Sequence, residues 1–226
     1  MLTGDQRISI FIGGFGSGKT EISINYALRM RDQGKAVKLV DLDVIDPYFR
    51  VREQKESLES KGIEVISPAG KLAGADLPAL PPAIYSIFNS DASVVIDVGG
   101  DDIGSVALGR FREQLKAMPC NVFFVVNTCR PGTNDVAGIV RILAGIEETS
   151  RLQANALICN TNLGRQTDVN TILAGFQVVS SAAERLAVPV AFIAARRDLA
   201  GQLNLPGVPV LPLDIFMKPP WEIEQQ

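Results

Sequence analysis

The amino-acid sequence predicts an α/β protein, a mostly parallel sheet with helices on both faces. Three observations lead there. Strand-like and helix-like segments alternate from end to end, the strand-like ones are continuous Val/Ile/Leu/Phe runs suited to a sheet buried on both faces, and a glycine-rich turn separates the first pair. At 226 residues the chain suits a single domain over 1–226 better than two, and neither a repeat nor a linker interrupts it.

Arg7 to Ile12 reads as the first strand and Thr20 to Gln33 as the first helix, closed by Gly34 where a left-handed residue ends a helix. Val37 to Leu42 is a second buried strand. The polar segment Arg50 to Lys61 reads as a helix that Gly62 ends before the short strand Ile63 to Ile66. Pro68 to Pro82 is proline-rich and predicts an ordered loop or lid. The β-branched run Ser93 to Val98 is a strand, followed by a helix over Ile103 to Ala117 and a strand over Asn121 to Asn127. Helices over Asn134 to Arg151 and Thr167 to Leu186 alternate with strands at Ala154 to Asn160 and Pro189 to Ala194, and Val208 to Leu213 is the last strand. In such a sheet the ligand site lies at the carboxyl ends of the strands.

Composition excludes several classes of function. Apolar stretches such as Val122 to Val126 and Val188 to Ala195 fall short of the roughly 18 residues that cross a bilayer. Residues Met1 to Arg7 lack a basic region and an apolar region of a secretory signal, so a cytoplasmic location is expected. Cys120, Cys129 and Cys159 sit in or beside strands and read as reduced, packed thiols. With no histidine and no C-x-x-C, soft-metal sites and histidine mechanisms are excluded. A net charge of -3 gives no overall attraction to nucleic acid.

The chemistry concentrates in Gly13-Gly14-Phe15-Gly16-Ser17-Gly18-Lys19-Thr20, which fits G-x-x-x-x-G-K-[ST] and lies between the first strand and the first helix. This is the pattern of a phosphate-binding loop. Gly14, Gly16, Ser17 and Gly18 let successive N–H groups face one anion-sized hollow, which the positive end of the helix deepens. Lys19 is placed to reach the β- and γ-phosphates, and the Thr20 hydroxyl to ligate Mg²⁺. A P-loop NTPase fold is therefore expected.

Acids after strands support that reading. Val94-Val95-Ile96-Asp97-Val98-Gly99-Gly100 has the form of a Walker B strand running into a loop, with Asp97 for Mg²⁺ and the Gly100 N–H for the γ-phosphate. Asp101 and Asp102 fit helix caps better. Of Asp41, Asp43 and Asp46 after the second strand, Asp43 is the choice for orienting an attacking water and for the metal's surroundings, with Asp46 in reserve. Asp46-Pro47 fits a turn or helix start equally well.

Taken together, the phosphate loop, Asp41-Leu42-Asp43, Asp97-Val98-Gly99-Gly100 and Asn160 resemble the MinD/ParA group of P-loop ATPases, within the CobQ/CobB/MinD/ParA nucleotide-binding superfamily. The resemblance covers nearly the whole chain. It implies Asp43 as the water-positioning residue, Asn160 as an adenine contact, Arg196 to Asp198 as the segment closing over the base and Gly207-Val208-Pro209-Val210 as the G-x-P-V that follows. It implies ATP and Mg²⁺ as cofactors. The family's extra lysine, which reaches across a nucleotide-sandwiched dimer, is Gly14 here, so a homodimer stays open, with Arg50, Arg52 or Arg110 as substitutes. Met217-Lys218-Pro219-Pro220-Trp221-Glu222-Ile223-Glu224 is not the basic amphipathic helix by which MinD-type proteins bind membrane. Asn160-Thr161-Asn162-Leu163 lacks the acid of the guanine-reading N-K-x-D, which favours ATP over GTP. Three functions compete: an ATPase switch read by an unknown protein partner; a carboxylate-activating ligase of dethiobiotin-synthetase or cobyrinate type, with Pro68 to Pro82, Asp101, Asp102 and Arg130 walling a small-molecule substrate; and a non-hydrolysing nucleotide-binding module.

Overall fold

A computed structural model of the chain describes residues 6–43, 51–67, 82–100 and 102–217. The proline-rich stretch 68–81, Asp46, Arg50 and Asp101 lie outside them. Strand β1 (Ile8–Ile12) leads into α1 (Lys19–Asp32) and β2 (Val37–Leu42). A 3₁₀ turn, Val51–Gln54, and α2 (Lys55–Ser60) precede β3 (Ile63–Ile66), and a second 3₁₀ segment, Pro82–Ile87, precedes β4 (Ser93–Val98). Then follow α3 (Asp102–Gly109), α4 (Arg112–Lys116), β5 (Cys120–Val126), α5 (Val136–Ser150), β6 (Ala156–Cys159), α6 (Val169–Leu186), β7 (Val190–Arg196), α7 (Arg197–Ala200) and β8 (Val210–Leu213).

The eight strands form one parallel sheet in the order β3-β2-β4-β1-β5-β6-β7-β8. The chain leaves β1 outward to β2 and β3, returns to lay β4 against β1, and then crosses to build the other half. Its order reverses beside β1, where a parallel sheet opens a crevice at the carboxyl ends.

Alternation along the strands divides the core in two. Ile8, Ile10 and Ile12 face the side covered by α3, α5 and α6, where Leu108, Ile139, Leu143, Ile172 and Val179 meet them. Phe11 faces the other side, against Ile22, Tyr26 and Met30 of α1. There Phe11, Tyr26, Phe123 and Phe192 form an aromatic cluster with ring centroids 5.3–6.1 Å apart. Fully burying each such side chain contributes about 1.5–3 kcal/mol, so α1, which carries the end of the phosphate loop, rests on a stiff floor. Asp135 and Asp168 cap α5 and α6, accepting from Gly138 N and Thr171 N, each at 2.7 Å.

The single helix expected over Ile103 to Ala117 is two helices. The amides of Arg110 and Phe111 bond three residues back, to Ala107 O and Leu108 O, instead of four. Leu108, Phe111 and Leu115 are nevertheless all buried, because the break preserves their phase.

Past β8 the chain doubles over the start of α1. The Asn25 side chain exchanges two hydrogen bonds with the Asp214 backbone (2.8 and 2.9 Å), and Glu21 accepts the amides of Phe216 and Met217 at 2.7 and 3.1 Å. Burial pushes the Glu21 carboxyl up to about 6 despite those amides.

Candidate functional site

Gly18 caps α1 in the left-handed region (φ 92°), and no side chain caps the helix. The first-turn N–H groups of α1 are thus not claimed by a capping side chain, as an anion site at a helix start requires. Lys19 is buried, and its Nζ donates to Gly14 O at 3.0 Å, folding the ammonium back over the loop. Gly100 packs against the same loop so closely that a Cβ there would lie 2.8 Å from the Phe15 backbone and 2.9 Å from Lys19 Nζ. Only glycine fits, and the β4 loop and the phosphate loop therefore meet at the Lys19 ammonium. Position 14 is different: a Cβ would meet only Ile142 Cγ2, at 4.0 Å.

Strands β2 and β4 bring the acids together, with Asp41 directly beside Asp97 in the sheet. Asp97 is 1% exposed, its Oδ1 accepts from Ser23 Oγ at 3.4 Å, and its Oδ2 is buried with no hydrogen-bond partner. Burial pushes its carboxyl up to about 8; the Thr20 hydroxyl and Lys19 draw it down, while Asp41 and Asp43 raise it. A buried, orphaned carboxylate oxygen beside Thr20 is what a cation would satisfy. Among the described residues no three acidic or thiol groups gather into a metal cage. Thr20 and Asp97 offer the one or two protein oxygens that Mg²⁺ takes, with phosphate and water to complete its shell.

Asp41 and Asp43, left as alternatives by the spacing, have different surroundings. Asp41 is fully buried and accepts from Arg52 Nε at 3.1 Å and from the Asp43 amide at 2.9 Å. Desolvation raises its carboxyl, and Arg52 opposes that rise. Asp43 lines the cleft, with its carbonyl fixed by Arg52 Nη2 at 2.6 Å. Arg52 is thereby committed to these two acids rather than to a phosphate, and Arg110 is exposed at the α3/α4 break.

The loops after β5 and β6 form the opposite rim. Asn127 is fully buried; its Oδ1 accepts from Cys129 N and Asn162 N (3.0 and 3.1 Å), and its Nδ2 donates to Asn162 O at 3.0 Å. Thr133 Oγ1 donates to Asn127 O at 2.7 Å. One asparagine thus joins both loops. Asn160 lines the cleft, but its Nδ2 donates to Ser17 O at 2.7 Å, so in this structure it pins the phosphate loop. Arg196 also lines the cleft, held by Asp198 (3.0 and 2.7 Å) and by Gly164 O at 3.1 Å. Replacing Asn160 by Ala leaves the Ser17 carbonyl without its buried donor, so a loss of about 1–3 kcal/mol in stability and weaker nucleotide binding are expected, read by denaturant unfolding and calorimetry.

These rims enclose a cleft of about 620 Å³ that runs from Gly16, Lys19, Thr20, Asp43 and Gly100 to Asn160, Thr167, Ile172, Ala195 and Leu213. One end is polar and lies over the loop; the other is walled by apolar side chains and amides, as a phosphorylated ligand with a flat base would require. The spacing of the motif pointed to the loop, Asp97, Asp43 and Asn160. Asn127 was absent from the expected site, and the cleft-facing Arg130 figured there only as a wall of a ligase's substrate; the signal for Asn127 is the polar run Asn127-Thr128-Cys129-Arg130-Pro131-Gly132 at a strand's carboxyl end. Cys159 is buried, and burial pushes its thiol up, in keeping with a packed, inert group.

The fold and the loop define a P-loop nucleoside-triphosphate-binding fold. No protein-family model matches the chain, and no curated protein matches it in sequence. Among solved structures, it is similar to the cell division protein FtsY of Thermotoga maritima, with a TM-score of 0.59 and 21% identity over 83% of this chain and 61% of that one. The signal recognition particle 54 kDa protein of Aeropyrum pernix, in complex with GDP, gives 0.56 and 17% identity over 84% of this chain and 42% of that one. The signal recognition particle receptor FtsY of Elizabethkingia anophelis, in complex with GDP, gives 0.52 and 19% over 85% and 58%. The likeness is one of fold, and the chain spans less than two thirds of each of these proteins. Among the described residues, no helix is long and apolar enough to cross a membrane.

Proposed function

We propose that the chain binds Mg·ATP and hydrolyses it as a MinD/ParA-like nucleotide switch whose state a protein partner reads. The observation that carries this reading is the orphaned Asp97 oxygen, buried beside Thr20 at the foot of a phosphate loop whose Lys19 still holds a loop carbonyl. Thr20 and Asp97 would hold Mg²⁺, which neutralises charge on the β- and γ-phosphates. Lys19 exchanges Gly14 O for phosphate oxygens. Gly100, in contact with the loop at Lys19, offers its amide to the γ-phosphate, so the β4 loop senses whether that group is present. Asp43, with its backbone fixed by Arg52 and Asp41, orients the water for in-line attack.

Adenine is the base the cleft's own residues favour. Arg196 in the cleft is engaged with Asp198, and Asn160 to Leu163 supplies no carboxylate for guanine's N–H groups. The GDP complexes of two structural neighbours support a second reading, GTP. Calorimetry with ATP and GTP in Mg²⁺ decides the base: ATP is expected to bind about tenfold more tightly, a difference of about 1.4 kcal/mol. The reverse order establishes the GTP reading. Turnover of Asp43→Ala decides the switch. A drop of roughly 100-fold at nearly unchanged affinity is expected of a water-positioning group; wild-type turnover no greater than the variant's leaves a binding module without hydrolysis.

A further inference from the structure

Arg130 lines the cleft against the phosphate loop and has no part in the proposed hydrolysis. It stands on the loop after β5, and its Nε donates to Gly16 O at 3.1 Å. The guanidinium lies against Gly16 so closely that a Cβ on that residue would come 3.1 Å from Nε and 3.3 Å from Cζ. Its loop is a braced platform. The Arg130 amide donates to Asn127 O, Thr133 N returns to Arg130 O at 3.2 Å, and buried Asn127 ties the turn to the loop after β6.

Among the described residues no carboxylate pairs with Arg130, whereas Arg52, Arg196 and Arg197 each pair with an aspartate. A guanidinium carries five N–H donors, and Gly16 O takes one. The others stand at the rim of a cleft built to take an anion, in the planar array that matches phosphate oxygens.

Sheet order says which phosphates these are. The metal-side acids Asp97 and Asp43 follow β4 and β2, on one side of the β1 loop; the base wall follows β6, β7 and β8, on the other. A nucleotide stretched between them passes the end of β5 with its inner phosphates. We infer that Arg130 is a second phosphate-binding cation, supplied by the same chain, that clamps the α- and β-phosphates while Lys19 and Gly100 serve the β/γ end. This rests on the nucleotide-binding reading above. The clamp would serve di- and triphosphates alike and keep the diphosphate bound after hydrolysis.

The test is calorimetric titration of wild type, Arg130→Gln and Arg130→Lys with ATP, ADP and AMP in Mg²⁺, with thermal unfolding of each protein. Gln retains an N–H for Gly16 O and removes the charge, which separates bracing of the loop from binding of phosphate. Arg130→Gln is expected to weaken ATP and ADP by the same factor, about 10- to 100-fold, and Arg130→Lys by less, since a point charge replaces a bidentate fork. AMP is expected to bind weakly to all three, and nucleotide-free melting temperatures to coincide. Equal affinities for wild type and Arg130→Gln overturn the inference and leave Arg130 as a brace; a loss confined to ATP also overturns it, placing the guanidinium on the γ-phosphate. If wild type binds neither ATP nor ADP, the nucleotide reading itself falls and the inference falls with it.

Discussion

Asp97→Asn is expected to stabilise the nucleotide-free protein at pH 8 and to abolish the contribution of Mg²⁺ to nucleotide binding. The sign follows from the direction of the shift. Burial raises the Asp97 carboxyl in the folded chain to about 8 from its ordinary value of 3.8, so between those values the folded state holds a proton that the unfolded state has lost. Stability from this group is complete below the unfolded value and declines as pH rises toward 8. Asparagine keeps a hydrogen-bonding side chain there and carries no charge to desolvate. Relative to wild type, the variant's melting temperature is therefore expected to rise steadily from pH 5 to pH 8, by on the order of 10 °C at the upper end. Glu21, also raised by burial, tilts both proteins in the same direction and cancels in the difference curve, which reports Asp97 together with its coupling to Asp41. A difference that stays constant across this range would falsify the picture of a buried carboxyl awaiting a cation. With nucleotide present, wild type gains affinity on adding Mg²⁺ and the variant does not.

Lys19→Ala is expected to cost at least about 100-fold in ATP affinity, the consequence of removing a charge-assisted donor from a largely dehydrated site. Its folded structure should persist. The Lys19 ammonium bonds the Gly14 carbonyl, and Gly18 with the aromatic floor under α1 continues to hold the loop. Circular dichroism reads the fold and calorimetry the affinity. An affinity within about threefold of wild type would show that the loop amides alone bind the phosphates. The same substitution withdraws one of the influences that lower the Asp97 carboxyl, so the decline of the variant's stability should extend to higher pH than that of wild type.

Much of this was legible in the residues. The bounds of β2, β3 and β4 coincide with their mostly apolar runs, which are buried at all but a few positions such as Lys38 and Glu64. Asp97 and Asp43 could be chosen because a parallel sheet places its ligand at strand ends. The break between α3 and α4 was not legible, since Leu108, Phe111 and Leu115 keep a helical spacing across it. Nor was the use of Asn160 on Ser17 O, a contact across 143 residues that no local pattern encodes. Arg130 was expected only as a wall for a ligase's substrate; its partner Gly16 lies 114 residues earlier and is reached only when β5 lies against β1.

The order of the strands also bears on when the molecule becomes able to bind. The phosphate loop is among the earliest segments of the chain, yet its walls come from the ends of β2, β4, β5, β6 and β7, which are brought to it by non-local pairings of the parallel sheet. Competence is thus a property of the assembled sheet rather than of the motif. A fluorescent nucleotide added during refolding should report the last strands to dock, and the segment synthesised early waits longest for its ligand.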